Sequence, residues 1–258
     1  MNPKVSVIVP TMTGGLNHLA YLMPQLSKEK DCEIIIVDNN SKDGTCNYLS
    51  NYDCTIMVNT TNVGFSKANN QAARIARGEY LLLLNNDTMI SPGFLEHMVD
   101  VFTYDPQIAV VGCLIYTVDL PKKILHAGVY FTPDLVPYEL GQPVPGFSPG
   151  ILPHDPRVSS VREVPLVTGA CMMVRKNIYK EMNGLNEDYR NGWEDNDFGL
   201  RVREKGYKIF YTGKTHILHR KFGSPGRFAH EKANRELYDR IWLDTGRAAK
   251  ILGGREWI

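Results

Sequence analysis

Apolar positions in the first half of the chain cluster into short runs: VSVIVP (5–10), EIIIVDNN (33–40), a weaker CTIMVN (54–59), YLLLLNND (80–87) and IAVVGCLIY (108–116). Each has the length and composition of a strand. The intervals 16–28, 43–51 and 65–77 instead place apolar residues at helical spacing. Strand and helix alternate, which predicts a mostly parallel sheet covered by helices on both faces. Leu81 to Leu84 suit a strand buried on both faces, yet the run stops in two amides and a carboxylate, Asn85-Asn86-Asp87, ahead of Ser-Pro-Gly. Ligands of such sheets collect beyond the carboxyl ends of the strands. Three strands have polar ends there: Pro10-Thr11, Asp38-Asn39-Asn40 and Asn85-Asn86-Asp87.

The second half changes character. Nine of the 15 prolines lie between residues 121 and 165 without a clear period, which predicts a loop-rich stretch. Strand-like content returns in VREVPLVTGACMMVRK (161–176) and YKIFYTG (207–213), while residues 195–205 and 229–251 carry helical patterns. In the last segment Tyr238, Ile241, Trp242, Leu243, Ile251, Leu252 and Trp257 stand among Lys and Arg. Docking of that apolar side on the domain is the first expectation, with a partner chain or a membrane surface as alternatives.

Composition narrows the class. Net charge is +1 with Lys and Arg scattered, which argues against a nucleic-acid partner held through its phosphates. Cys32, Cys46, Cys54, Cys113 and Cys171 are odd in number and lack CxxC spacing, so they read as reduced thiols rather than a disulfide or zinc framework. No apolar run approaches the roughly 20 residues that span a bilayer. A cytoplasmic protein is expected, with peripheral contact to the inner face of the membrane left open.

Several residues can carry chemistry. Asp38 can accept hydrogen bonds from a ribose or a base edge; alone it reads as turn chemistry, with Ser41 or Asp43 capping the next helix. Its place beside the other polar strand ends favours the ligand. Gly64 opens a helix where backbone can approach a ligand closely. No GxGxxG or GxxxxGK[ST] loop occupies a strand-to-helix turn, which counts against dehydrogenase and P-loop chemistry. Asp87 suits a hard divalent cation that takes its other ligands from a diphosphate and water, although an Asp before Ser-Pro-Gly is by itself more often a loop residue. Glu194 and Asp195 fall in the first turn of a helix, where the macrodipole favours an ionised carboxylate. They suit a general base or simple helix capping, and Trp193 beside them can stack on a sugar face. His216 and His219, three apart in a strand, point to opposite faces and do not share a metal. Each of them, like His126, is either a core histidine or an imidazole that joins carboxylate oxygens on Mn²⁺.

In order along residues 4–224, the motifs VSVIVPT, IIIVDNNSKDGT, NVGFSKANNQA, GEYLLLLNNDT, VPLVTGACMMVRK, GLNEDYRNGWEDNDFGLR and HILHRKFGS closely resemble the family 2 nucleotide-sugar glycosyltransferases of the GT-A fold, in their bacterial rhamnosyltransferase-like branch. The resemblance implies a Rossmann-like α/β domain over 1–228, split into a nucleotide-binding half 1–116 and an acceptor half 117–228, with a helical extension 229–258. It implies inverting transfer from a UDP- or dTDP-type sugar to a hydroxyl of a glycan, lipid-linked or protein-linked acceptor, with Mn²⁺ or Mg²⁺. Pro10, Thr11 and Asp38 match nucleobase and ribose positions, and Gly64 the loop near the nucleotide. Asn85-Asn86-Asp87 matches the DxD motif, with Asp87 on the metal and Asn85 near the ribose or diphosphate. Asp195 matches the catalytic base, Glu194 its orienting partner, and His219 rather than His216 the histidine near the metal. Asn85 departs from the motif's first Asp and implies weaker metal binding in the empty protein. Two rivals remain. A sugar nucleotidyltransferase is expected to carry a basic glycine-rich loop after the first strand, and Thr11-Met12-Thr13-Gly14-Gly15 has no Lys or Arg. A non-catalytic binding module is disfavoured by the intact Glu194-Asp195 pair. A homodimer is left open.

Overall fold

The computed structural model describes residues 2–119, 122–144, 148, 150–220 and 229–253. Lys221 to Ser224 of the HRKFGS stretch and Trp257 lie outside them. In chain order the first half forms β1 (Val5–Thr11), α1 (Leu16–Leu26), β2 (Cys32–Asp38), α2 (Thr45–Leu49), β3 (Thr55–Val58), α3 (Phe65–Ile75), β4 (Tyr80–Leu84), β5 (Thr88–Ile90), α4 (Phe94–Val101) and β6 (Ile108–Thr117). The second half adds β7 (Ile124–His126), β8 (Val129–Phe131), β9 (Pro137–Glu139), α5 (Pro156–Ser159), β10 (Val161–Glu163), β11 (Cys171–Arg175), α6 (Lys176–Glu181), α7 (Glu194–Glu204), β12 (Lys208–His219), α8 (Glu231–Tyr238) and α9 (Arg247–Leu252). A π-helical turn, Asp239–Leu243, separates α8 from α9.

The central sheet runs β10-β12-β6-β11-β4-β1-β2-β3. Strands β4, β1, β2 and β3 are parallel, as the alternation predicts, and β12 is parallel to β6. The leucine run explains why β4 is central. Leu81 and Leu83 belong to the core on one face, Leu82 and Leu84 to the core on the other, and all four are fully buried. Period-two alternation in a strand covered by helices on both sides leaves no position for a polar residue until the strand ends.

Three elements differ from the sequence expectation. The apolar stretch 161–176 is two strands: β10 pairs with β12 at the sheet edge, whereas β11 inserts antiparallel between β4 and β6. Pro165, which lacks an N–H, and Gly169 lie between them, where a continuous ladder would be broken. Helix α4 buries Phe94, Leu95, Met98 and Val101 at helical spacing, over a span too short to distinguish from a loop by pattern. The segment 229–251 is interrupted by the π turn and by Gly246, whose φ of 69° is left-handed.

The C-terminal helices pack on α7. Trp242 is fully buried, donates Nε1–H to Asp197 Oδ1 at 3.0 Å, and lies under the Arg247 guanidinium at 4.1 Å. Trp242→Ala is expected to lower unfolding free energy by about 3–5 kcal/mol, as for other large buried aromatics, measured by urea denaturation. A loss below about 1 kcal/mol would mean that these helices are not docked in solution. Among the described residues no helix is long and apolar enough to cross a membrane. All five cysteines are free thiols, and burial raises the Cys32 thiol to about 11.

Candidate active site

A cavity of about 240 Å³ opens at the carboxyl ends of the parallel strands. Pro10 and Thr11 at the end of β1, Asn85, Asn86 and Asp87 after β4, Gly64 ahead of α3, His219 at the end of β12, and Glu194 and Asp195 at the start of α7 all line it. The fold thus gathers nearly every predicted position, from segments more than 200 residues apart, onto one wall.

Local chemistry fixes each of them. Asn86 donates Nδ2–H to Thr11 Oγ1 at 2.9 Å and ties the end of β4 to the end of β1. Gly15 makes room for this bond, because a Cβ there would lie 2.1 Å from Thr11 Oγ1 and 2.7 Å from Asn86 Nδ2. After Asn86 the chain turns back into β5, with Thr88 Oγ1 donating to the Asn85 carbonyl at 2.7 Å. β5 pairs antiparallel with β12 and puts Thr88 opposite His219. That register sets His219 Nε2 3.1 Å from Asp87 Oδ1, and Asn85 Nδ2 3.4 Å from the same ring nitrogen. A bulge between Thr212 and His216 precedes the two histidines; His219 turns to the cavity, whereas His216 packs edge-on to the Tyr116 ring at 5.6 Å.

The turn into α7 is strained. Asn191, Gly192 and Trp193 have φ of 54°, 146° and 74°, and positive φ at Trp193 is unfavourable for a bulky residue. Glu194 helps to hold this turn, its carboxylate accepting from Gly192 N–H at 2.6 Å. Asp195 is half-buried; its Oδ2 accepts from Gly169 N–H at 2.7 Å and its Oδ1 from Asn196 N–H at 2.9 Å. Burial pushes the Asp195 carboxyl above its ordinary value; the Gly169 hydrogen bond opposes this, and the nearby Glu139 charge adds to it. The Gly169 contact depends on β11, since Asn85 N–H donates to the Ala170 carbonyl at 3.0 Å and locks that loop beside the end of β4.

Two predicted residues are placed elsewhere. Asp38 is buried and absent from the cavity wall; its Oδ1 accepts from Ser41 N–H at 3.1 Å and from the Ser41 hydroxyl, and its Oδ2 from the Cys46 thiol at 3.1 Å. Its neighbour Asn39 lines the cavity instead. Trp193 is also absent from the wall: its ring packs on Tyr238 at 4.9 Å, under Arg235, and its Nε1–H donates to Glu231 at 3.0 Å. An aromatic next to two carboxylates looks free in sequence, but α8 supplies its partners. Conversely, His126, Glu139 and Gln142 from the loop-rich stretch join the wall, and no local pattern announces Glu139 or Gln142.

For a cation, the described residues contain no convergence of three or more His, Cys, Asp or Glu side chains. Asp87 and His219 offer one carboxylate and one imidazole nitrogen, with the Asn85 amide beside them.

The topology is shared with the solved structure of GalNAc-T7 with UDP, GalNAc and Mn²⁺, at a TM-score of 0.73 and 15% identity over 94% of this chain and 49% of that one. The fold is that of the GT-A class. Sequence comparison then gives the family. The model described as "Glycosyl transferase family 2" matches residues 6–182, and one described as "N-terminal domain of galactosyltransferase" matches residues 160–221. The chain belongs to glycosyl transferase family 2. It is 27% identical to O-antigen biosynthesis protein RfbC of Myxococcus xanthus, over 86% of this chain but only 18% of that protein's length. It is 24% identical to the N-acetylglucosaminyl-diphospho-decaprenol L-rhamnosyltransferase of Mycobacterium tuberculosis strain H37Rv, over 88% of this chain and 79% of that protein.

Proposed function

We propose that this chain transfers a glycosyl group from a nucleoside-diphosphate sugar, of UDP or dTDP type, to an acceptor hydroxyl with inversion at the anomeric carbon. The observation that carries this reading is the opening of the Asp87–His219 pair and of Asp195 onto one cavity whose wall also holds Pro10, Thr11, Asn39 and Gly64. The name of the mycobacterial relative suggests a deoxyhexosyl donor and a lipid-diphosphate-linked sugar as the substrate class.

In this reading Pro10, Thr11 and Asn39 bind the nucleoside, and Gly64, which has no Cβ to cover its backbone and adopts a φ of 85°, lies beside it. Asp195 takes the acceptor proton as the acceptor oxygen attacks, within about 2.6–3.2 Å in the ternary complex. The hydrogen bonds from Gly169 and Asn196 aim the carboxylate and leave each oxygen a lone pair for that proton. Glu194 orients this base by holding the turn that presents it. The sugar passes through an oxocarbenium-like state, and inversion in one displacement needs no covalent enzyme nucleophile. The Asp87 carboxylate and His219 imidazole fit a divalent cation such as Mn²⁺ or Mg²⁺ whose other positions go to diphosphate oxygens and water. When bound, such a cation stabilises charge on the departing diphosphate.

Asp195 must be ionised to act, and its pKa is raised by burial. The acid limb of the kcat/KM profile is therefore expected above the ordinary Asp value of about 3.9. Glu139→Gln, which removes a nearby negative charge, is expected to move that limb to lower pH. A limb unmoved by this variant would mean that another group controls it.

Thermal-shift screening against UDP, GDP, dTDP and CDP sugars, each with Mn²⁺ or a chelator, followed by product analysis, tests the function. One donor class is expected to stabilise the protein in Mn²⁺ and to yield a glycoside of inverted configuration. No stabilisation by any donor would end the transferase reading.

A further inference from the structure

One polar pair on the cavity wall has no ligand assigned to it above, although the Glu139 charge acts on Asp195. His126 ends β7 and Glu139 ends β9, both in the loop-rich stretch, and both line the cavity. His126 Nδ1 is hydrogen-bonded to Glu139 Oε2. The histidine is 1% exposed, and its Nε2 has no hydrogen-bond partner among the described residues. With Nδ1 donating to the Glu139 carboxylate, Nε2 is left as the unpartnered ring nitrogen, an acceptor in that tautomer. A buried acceptor without a donor is costly, and here it belongs to a side chain on the wall of a ligand-sized space.

The surroundings specify the donor's chemistry. Glu139 keeps 28% of its side chain exposed on the same cavity, so two acceptors share this part of the wall. Among the described residues no Lys or Arg lines the cavity, and the Glu139 charge repels phosphate. Neutral hydroxyls remain as the matching donors. Ile115 and Leu125 line the same cavity and add the apolar surface that a sugar ring's C–H face covers.

We propose that His126 and Glu139 bind two hydroxyls of a pyranose ring, which donate to His126 Nε2 and to the Glu139 carboxylate, and so position that sugar for Asp195. This rests on the transferase reading. Donor and acceptor sugars both carry such hydroxyls, and the test separates them.

Calorimetry compares the nucleotide sugar selected by the screen above with its bare nucleoside diphosphate, in wild type, Glu139→Gln and His126→Asn. Asn retains an N–H donor near the Nδ1 position and removes Nε2; Gln keeps the shape of Glu and removes its charge. If the pair holds the donor sugar, the affinity advantage of the nucleotide sugar over the diphosphate falls about tenfold in both variants, while diphosphate affinity holds. If it holds the acceptor, that advantage is unchanged and the KM for a p-nitrophenyl glycoside acceptor rises about tenfold. Variants with wild-type melting temperature whose two parameters stay within about twofold of wild type overturn the assignment. A wild-type protein that binds no nucleotide sugar overturns the transferase reading, and this proposal with it.

Discussion

Asp195→Asn is expected to lower glycosyl transfer by about 10³-fold while nucleoside-diphosphate affinity stays within about threefold of wild type. Asn is nearly isosteric and its carbonyl oxygen can still accept the Gly169 N–H, so the start of α7 keeps its position. Two things are lost: removal of a proton from the acceptor oxygen, and the bond from Asn196 N–H, which would face the amide NH2 instead of an acceptor. One contribution to stability moves in the opposite direction. The folded pKa of Asp195 lies above its unfolded value, because burial disfavours the charge. Ionisation therefore begins to cost stability as pH rises through the unfolded pKa, and the full cost is present above the folded one. At pH 7 the variant has no such charge to bury. That relief opposes the loss of the Asn196 hydrogen bond, so thermal denaturation is expected to show the variant close to wild type in stability while its activity is lost. Turnover above a tenth of wild type would remove Asp195 from the role of base.

Asp87→Ala is expected to weaken nucleoside-diphosphate binding in Mn²⁺ by about 100-fold, down to the affinity measured in chelator. In chelator, wild type and variant are expected to agree. The structure makes this a clean comparison: among the described residues, the only hydrogen-bond or ion-pair partner of the Asp87 carboxylate is His219, at 3.1 Å. The turn itself is held by main chain, with Arg220 N–H donating to the Asp87 carbonyl at 3.0 Å, and by the Thr88 hydroxyl on the Asn85 carbonyl. Truncation removes the ligand without unmaking the loop. Because Asn85 brings no charge, Asp87 is the sole carboxylate of the strand-end triplet, so its loss is not shared with a neighbour. Equal affinity of both proteins in Mn²⁺ would place the cation elsewhere.

The two carboxylates stand out in the sequence for different reasons, while the roles proposed for them come from the family resemblance. Asp87 follows four buried leucines, and a strand covered on both faces can turn polar only where it leaves the sheet. Asp195 opens a helix whose periodicity is visible in Phe198 and Val202, both fully buried. Asp38 satisfied the same strand-end rule as Asp87 and yet is turned into its own loop by Ser41 and Cys46, because short polar side chains compete for the nearest N–H, O–H or S–H group. Trp193 is claimed by α8, some 38 positions later in the chain.

The sequence by itself determined the strands and helices of the first half other than β5 and α4, which faces they bury, and that three strands end in polar residues on one rim. Those properties are local, since hydrophobic period and chain direction set them within a few residues. The tertiary structure alone decided that β11 runs antiparallel beside β4 and carries Gly169 to Asp195, that β5 pairs with β12 and carries His219 to Asp87, and that the loop-rich stretch delivers His126 and Glu139. Pairing between distant strands depends on complementary packing summed over the whole core, and a one-dimensional pattern records the faces to be buried without recording their partners.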